Sequence, residues 1–328
     1  MNVAILGASG VVGQEMLKVL AERNFPIDSL KLLSGPSSAG KKTLFCGKEY
    51  TYEEACNDSF AGMDLVLGAA ENDVAKRFAP AIRQAGAVFV DNSSAFRLNP
   101  EVPLVVPEVN PEDVKLHSGI IANPNCVTII AMVAVNAIQK LSPIRTMTAS
   151  TYQAVSGAGK AGLAELEQQA AAYPDAENYQ IKAFPQQIAF NLIPKIGDAT
   201  DNGYTKEEMK LLNEGRKILH NPEMKVSCTC VRVPVFRSHS ISINLQTERP
   251  VSPEEARAAI GAAPGCKVLD NTAENVFPTP LLSSDLDTVF VGRIREDLAN
   301  GGLALWCCGD QIRKGAATNA VQIAELLL

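Results

Sequence analysis

Residues Val3-Ala4-Ile5-Leu6 run directly into Gly7-Ala8-Ser9-Gly10-Val11-Val12-Gly13, and Glu15-Met16-Leu17-Lys18-Val19-Leu20 follows with helical spacing. The apolar run predicts a buried strand, the glycines a tight turn and the 3.6-residue period a helix. A strand that enters a helix through so short a turn has few uses other than the start of a βαβ unit. Further short strands are expected at 30–33, 64–67 and 87–90, with a helix over 73–85 between the last two. Strands alternating with helices predict a parallel, doubly wound sheet.

The glycines at 7, 10 and 13 give G-x-x-G-x-x-G and not the commoner G-x-G-x-x-G. A tight turn, close backbone approach and a helix start facing a pyrophosphate survive that change, so the segment reads as a dinucleotide site. The plainer alternative is a glycine-rich joint between strand and helix. About 20 residues on, where an acid would hold an adenine-ribose 2′-hydroxyl, stand Ser34-Gly35-Pro36-Ser37-Ser38-Ala39-Gly40-Lys41-Lys42. With no acid to repel a 2′-phosphate, hydroxyls and lysines favour NADP over NAD.

A chain of 328 residues exceeds what one core usually supports, which predicts two domains. Thirty basic against 36 acidic residues argue against a surface that wraps nucleic acid. The eight cysteines include no C-x-x-C pair for zinc or dithiol chemistry, so no metal is expected. Cys228 and Cys230 fit one face of a strand, and Cys307-Cys308 lie in an apolar run, as core residues do. A reducing, cytoplasmic setting follows from that usage. The longest apolar segment is broken by Asn136 and Gln139 too soon to span a bilayer.

Past residue 126 the texture changes. Stretches 146–154, 226–235 and 240–247 read as alternating, half-buried strands, with helices near 160–172 and 205–219, which predicts a mixed sheet covered by helices on one face. Residues 173–203, rich in Pro, Asn and Asp, read as a long connection. A closing helix over 316–328 repeats apolar residues at helical spacing and is expected to return to the first domain.

Asn123-Pro124-Asn125-Cys126 precedes the apolar run Val127 to Val135 and places a thiol at the first turn of a buried helix. There the positive end of the helix dipole stabilises a thiolate and can later hold an oxyanion. A small buried cysteine packed like alanine is the plain alternative. Four more polar residues stand where the local pattern gives no packing reason for them: Arg97, Gln153, Arg232 and His239. Through these, with Ser38-Ala39-Gly40, Ser156-Gly157-Ala158-Gly159, Arg232-Val233-Pro234-Val235, His239-Ser240 and Lys314-Gly315-Ala316-Ala317, the chain resembles aspartate-β-semialdehyde dehydrogenases along essentially its whole length.

The resemblance implies a Rossmann-type domain over 1–125, completed by a helix at 313–328, and an α+β catalytic and dimerisation domain with a mixed sheet over 126–312. It implies Cys126 as nucleophile, His239 as acid/base and Gln153 as the amide that orients the substrate and acyl-enzyme. Arg232 and Glu207 match the groups that hold the substrate's α-carboxylate and α-amino group, and Arg97, Asn125 and Lys210 match the phosphate site. Cofactor contacts fall on Gly7, Ser9, Gly10, Val11, Val12, Gly13, Ser37, Ser38, Ser156, Gly157 and Asn319.

The implied reaction is reduction of β-aspartyl phosphate to aspartate β-semialdehyde in the biosynthesis of lysine, threonine, methionine and isoleucine. The Cys126 thiolate displaces phosphate to form a thioester, which accepts hydride from NADPH, and His239 takes the thiol proton early and handles a proton again later. A homodimer is implied, with tetramers as the alternative. Many relatives carry arginine where this chain has Ser37, which opens the choice between NADP and NAD. His239 as an ordinary half-exposed histidine, Arg97 and Lys210 as solvated charges, and Glu207 as a plain i,i+3 partner of Lys210 are the bland alternatives. Competing functions are an N-acetyl-γ-glutamyl-phosphate reductase, a glyceraldehyde-phosphate dehydrogenase-like acyl reductase and an NADP-binding redox sensor.

Overall fold

The computed structural model describes residues 1–173 and 180–328. Part of the expected connection, 174–179, lies outside the described residues. The chain divides into two compact units, one made of 1–125 with 316–328 and the other of 126–315.

In the first unit, strand β1 (Asn2–Leu6) is followed by helix α1 (Val11–Glu22), β2 (Ser29–Ser34), β3 (Lys42–Phe45), β4 (Lys48–Glu54), β5 (Leu65–Gly68), helix α2 (Asn72–Gln84), β6 (Val88–Asp91) and β7 (Ile120–Ala122). The strands form one sheet in the order β3-β4-β2-β1-β5-β6-β7. Every pairing is parallel except the β3–β4 hairpin. That hairpin escapes the apolar pattern because most of its side chains face water. Its turn has positive φ at both central residues, 48° at Cys46 and 76° at Gly47, as a two-residue hairpin needs. Val3, Ile5, Leu65 and Leu67, at most 1% exposed, centre the core, as expected of parallel strands covered on both faces. β1 lies between β2 and β5, so the strand order reverses there and leaves a crevice beyond the carboxyl ends, where Gly7 stands.

In the second unit, α3 (Cys126–Leu141) leads to β8 (Ile144–Gln153), α4 (Gly159–Ala171), α5 (Lys206–Ile218), β9 (Lys225–Arg232), β10 (His239–Thr247), α6 (Pro253–Gly261), β11 (Cys266–Val268), the single turn α7 (Pro280–Ser283), β12 (Val289–Glu296) and β13 (Leu303–Gly309). The sheet order is β11-β12-β13-β10-β8-β9. β8–β9 and β11–β12 are parallel and the remaining pairs antiparallel, a mixed sheet. Ile241, Ile243 and Leu245 of β10 stand opposite buried residues of β8 and β13, and α3, buried along most of its length, packs on β8, β10, β12 and β13. Ser150, Tyr152, Ser242, Asn244 and Trp306, on the opposite pleats, stay half-exposed. The strand expected over 226–235 stops at Arg232, because Pro234 has no N–H to continue the ladder.

Residues Arg313–Ala317 form one wide π-helical turn before α8 (Thr318–Glu325), where a regular helix is expected from the sequence. Ala317, Ala320, Val321, Ile323 and Ala324 sit in the core of the first unit, and Arg23 clamps Glu325 through two bonds of 2.7 and 2.6 Å.

Candidate active site

Strand register gathers the polar residues of the second unit. Gln153 and Arg232 end the parallel neighbours β8 and β9 and are register partners. β10 runs antiparallel to β8, with Ser240 opposite Tyr152, so its first residue, His239, falls at the same end of the sheet. Cys126 opens α3, where the helix dipole is positive. Its Sγ lies 3.4 Å from His239 Nε2, although the two residues are 113 apart in sequence.

Ala154 has no functional side chain, but its backbone joins this group. Its N–H donates to His239 Nδ1 at 3.0 Å, and its carbonyl accepts from Arg232 Nη1 at 2.7 Å. Burial, then repulsion from the Arg232 guanidinium, push the wholly buried His239 ring down to about 3, against a weaker opposing pull from Glu207. Burial also lowers Arg232, opposed by charge on Cys126 and Glu207. The coupling is reciprocal: a cationic Arg232 favours an anionic sulfur. The Arg232 guanidinium lies 5.9 Å from the Phe184 ring centroid. A Cβ on Gly157 would stand 2.8 Å from Arg232 Nη1, so a side chain there would have to push the guanidinium from its place.

Gln153 Oε1 accepts from Thr151 at 2.9 Å, and its Nε2 donates to Glu207 Oε1 at 3.3 Å. Lys210 Nζ meets Glu207 Oε2 at 2.7 Å. Glu207 therefore faces the cluster while paired at i,i+3. Glu208 is differently engaged, accepting from the Thr205 N–H in a capping box and from the Cys230 N–H. Thr205-x-x-Glu208 is a capping-box spacing that distinguishes the two acids in the sequence itself.

Ser156 and Gly157 belong to the short 3₁₀ turn Val155–Ala158. Gln311, which the sequence reading missed, contacts Ser156 Oγ and accepts from the Ser238 N–H at 2.8 Å. Ser238, just before His239, has φ 71°. Gly315 stands against Cys126, and a Cβ there would lie 2.9 Å from Cys126 Cβ.

In the first unit the glycine turn is tight. A Cβ on Gly7 would lie 2.6 Å from the Ala69 carbonyl oxygen, and Gly13 lies closer still to the Gly7 carbonyl. Gly10 caps α1 without a side-chain bond, and the first turn holds no acidic residue. The backbone of Val11 and Val12 thus begins a helix at the β1 carboxyl end, open to an anion beside Ser9. Ser37 and Ser38 lie in the turn after β2, Ser37 exposed. These features fit a dinucleotide.

Arg97 is buried, with Nε donating to the Asn123 carbonyl at 2.9 Å and Nη2 to that of Asn92 at 2.7 Å. Asn319 donates to Val105 O and to Asn123 Oδ1, and Asn123 Nδ2 to Asn92 Oδ1. This amide relay ties down the segment before Asn125, itself buried. All eight cysteines are free. No helix among the described residues is long and apolar enough to cross a membrane.

A doubly wound unit with a glycine turn, and a mixed-sheet unit that gathers a cysteine, a histidine, a glutamine and an arginine, are the plan of a semialdehyde dehydrogenase. The family model for the semialdehyde dehydrogenase NAD binding domain matches residues 2–117, and that for the dimerisation domain matches 136–314. The chain belongs to the aspartate-semialdehyde dehydrogenase family, a family of oxidoreductases. It is 51% identical to the aspartate-semialdehyde dehydrogenase of Aquifex aeolicus, over 100% of this chain and 98% of that one. The crystal structure of aspartate semialdehyde dehydrogenase II complexed with ASA from Vibrio cholerae superposes with TM-score 0.96 at 43% identity, covering 99% and 97% of the two chains. The Candida albicans enzyme with NADP gives TM-score 0.78 at 26% identity, covering 99% and 98%.

Proposed function

We propose that this chain reduces β-aspartyl phosphate to aspartate β-semialdehyde with NADPH, through a thioester on Cys126. The observation that carries the reading is Cys126 Sγ at 3.4 Å from His239 Nε2, with Gln153 and Arg232 brought to the same end of the sheet by register. Sulfur attack on the acyl carbon forms the S–C bond, and the C–O bond breaks with its electron pair leaving on phosphate. Gln153 orients the acyl group. Arg232 presents a planar fork to the α-carboxylate, and Glu207 an acceptor to the α-ammonium. Arg97, Asn125 and Lys210 supply charge and donors for the departing phosphate.

The dinucleotide is held by the backbone of Gly7, Gly10 and Gly13, by Ser9, Val11 and Val12, by Ser37 and Ser38, and by Ser156, Gly157 and Asn319. When bound in reduced form it supplies the hydride that turns thioester into aldehyde. NADP is the expected cofactor because the turn after β2 has hydroxyls and no acid, and Ser37 in place of arginine relaxes selectivity against NAD. The half-exposed sheet face of β8, β10 and β13 supports a homodimer, and a full set of free thiols supports a cytoplasmic setting.

The test is turnover of aspartate semialdehyde with phosphate and NADP, compared with the N-acetylated aldehyde. Glu207 as an acceptor for the free ammonium, beside its pairing with Lys210, predicts a preference of roughly tenfold or more for the unacylated substrate, on the order of one charge-assisted hydrogen bond lost. Equal rates would favour the N-acetyl-γ-glutamyl-phosphate reductase reading. A kcat/KM with NADH above that with NADPH would refute the cofactor assignment.

A further inference from the structure

We propose that Asp91, the buried carboxylate at the end of β6, is the positioning residue for Arg97: through Ser93 it pins the turn that carries the guanidinium, and so holds that group in place for phosphate without touching phosphate itself. The inference rests on Arg97 as a phosphate ligand, and neither Asp91 nor Ser93 has a part in the chemistry proposed above.

β6 stops at Asp91, and residues 92–97 run on as bends and a turn, outside any ladder. Their backbone N–H groups must find partners elsewhere. Asp91 offers both its oxygens to one serine: Oδ1 accepts the Ser93 N–H at 3.1 Å, and Oδ2 accepts the Ser93 hydroxyl at 2.5 Å. With its proton committed to the carboxylate, Ser93 Oγ accepts the Ala95 N–H at 3.2 Å, two residues before Arg97. An Asx turn is thus continued by a serine turn. Arg97 then reaches back over the same segment, Nη2 donating to the Asn92 carbonyl at 2.7 Å and Nε to the Asn123 carbonyl at 2.9 Å. The Asn123 N–H in turn donates to the Asp91 carbonyl at 2.8 Å, so Asn123 anchors both ends of the segment.

Asp91 is wholly buried, and a buried carboxylate without partners is costly. Burial raises it, opposed first by the Ser93 hydroxyl and N–H and then by the Arg97 charge, so the groups that stabilise its charge are the serine it holds and the arginine it positions. On the β5 side it is walled in: a Cβ on Gly68, its register partner, would stand 3.1 Å from Asp91 Oδ1 and 2.7 Å from the Phe89 ring. Removing either Asp91 or Ser93 as a side chain loosens the 92–97 segment and leaves the sheet intact, because the pairing of β6 with β5 and β7 is made by backbone groups.

Two variants of the full chain test this. Ser93→Ala, the milder, removes the hydroxyl between Asp91 and Ala95, and Asp91→Ala removes both acceptors. In the oxidative direction each is expected to raise KM for phosphate on the order of tenfold or more, as a misplaced charged group implies, while KM for aspartate semialdehyde and for NADP stays within about threefold. General loosening of the fold would not single out phosphate. Independently of turnover, nitrogen-15 arginine spectra follow the Nε–H of Arg97, identified by its absence in Arg97→Gln; its exchange with water is expected to be at least about tenfold faster in both variants than in the wild-type chain. Unchanged exchange in both would overturn the proposal whatever the substrate. So would a raised phosphate KM in Arg97→Gln with none in either variant. Faster exchange in both, with no rise in phosphate KM in Arg97→Gln, would support the positioning of Arg97 while refuting its assignment to phosphate, so the two failures are distinguishable.

Discussion

A single methyl group placed behind Cys126 tests how closely the site is built. In Gly315→Ala the new Cβ would stand 2.9 Å from Cys126 Cβ and 3.3 Å from its Cα, where ordinary contact begins near 3.4 Å. The wall and the first turn of α3 must separate by about 0.5 Å, and neither can yield through a flexible side chain. Overpacking of this kind costs about 1–3 kcal/mol. Because the strain falls on the residue that carries the sulfur, we expect it to appear as a displaced Sγ, with the 3.4 Å approach to His239 lost. About 1–2 kcal/mol in the barrier is a roughly 5- to 30-fold fall in kcat, with KM for aspartate semialdehyde within about threefold of wild type. Steady-state kinetics, with the iodoacetamide alkylation rate of Cys126 mapped by mass spectrometry, measure both consequences. Unchanged kcat and alkylation in a folded variant would refute the reasoning.

Three further outcomes follow from the same geometry. His239 stays neutral in the fold while its unfolded counterpart protonates near 6.5, so its contribution to stability falls as pH drops from about 6.5 toward 3. Between pH 7.5 and 5.5 the loss is about 1.3 kcal/mol, which His239→Asn should lack; urea unfolding followed by Trp306, the sole tryptophan, at fixed protein concentration reads it, and parallel pH slopes would exclude it. Glu208→Ala removes a capping box and the acceptor of the Cys230 N–H, so the urea midpoint should fall by the equivalent of about 1–2 kcal/mol, whereas Glu207→Gln should chiefly raise KM for the aldehyde. Asn319→Ala frees Asn123 Oδ1 and should raise KM for the dinucleotide severalfold or more with little change in KM for the aldehyde; the reverse pattern would contradict the relay.

β1, β2, β5 and β6 were legible because they are short, largely buried apolar runs, each followed by a turn signal or a helix period, whereas the three-residue β7 is too short to stand out. β3 and β4 were not, since a polar edge hairpin carries no such run, and neither were β12 and β13, where Gly292 and the unbroken Leu303-Ala304-Leu305-Trp306-Cys307-Cys308 suppress alternation. At the site, Cys126 announces itself because Pro124 precedes a long apolar helix. Its proximity to His239 is a property of register, invisible to any local window. Ala154 acts through its peptide alone, so no residue type marks it. Glu208, by contrast, had a readable capping-box spacing that set it apart from Glu207.

The nucleotide-binding unit is a discontinuous stretch of chain. Residues 1–125 reach the ribosome exit long before 316–328, yet Ala317, Ala320, Val321, Ile323 and Ala324 fill part of their core. During synthesis the seven-stranded sheet, complete by Ala122, must wait with an apolar gap beside α1 until α8 is made, while 126–315 can condense as an uninterrupted piece. Until 316–328 is made, the first unit is therefore the one left open to chaperone capture or proteolysis.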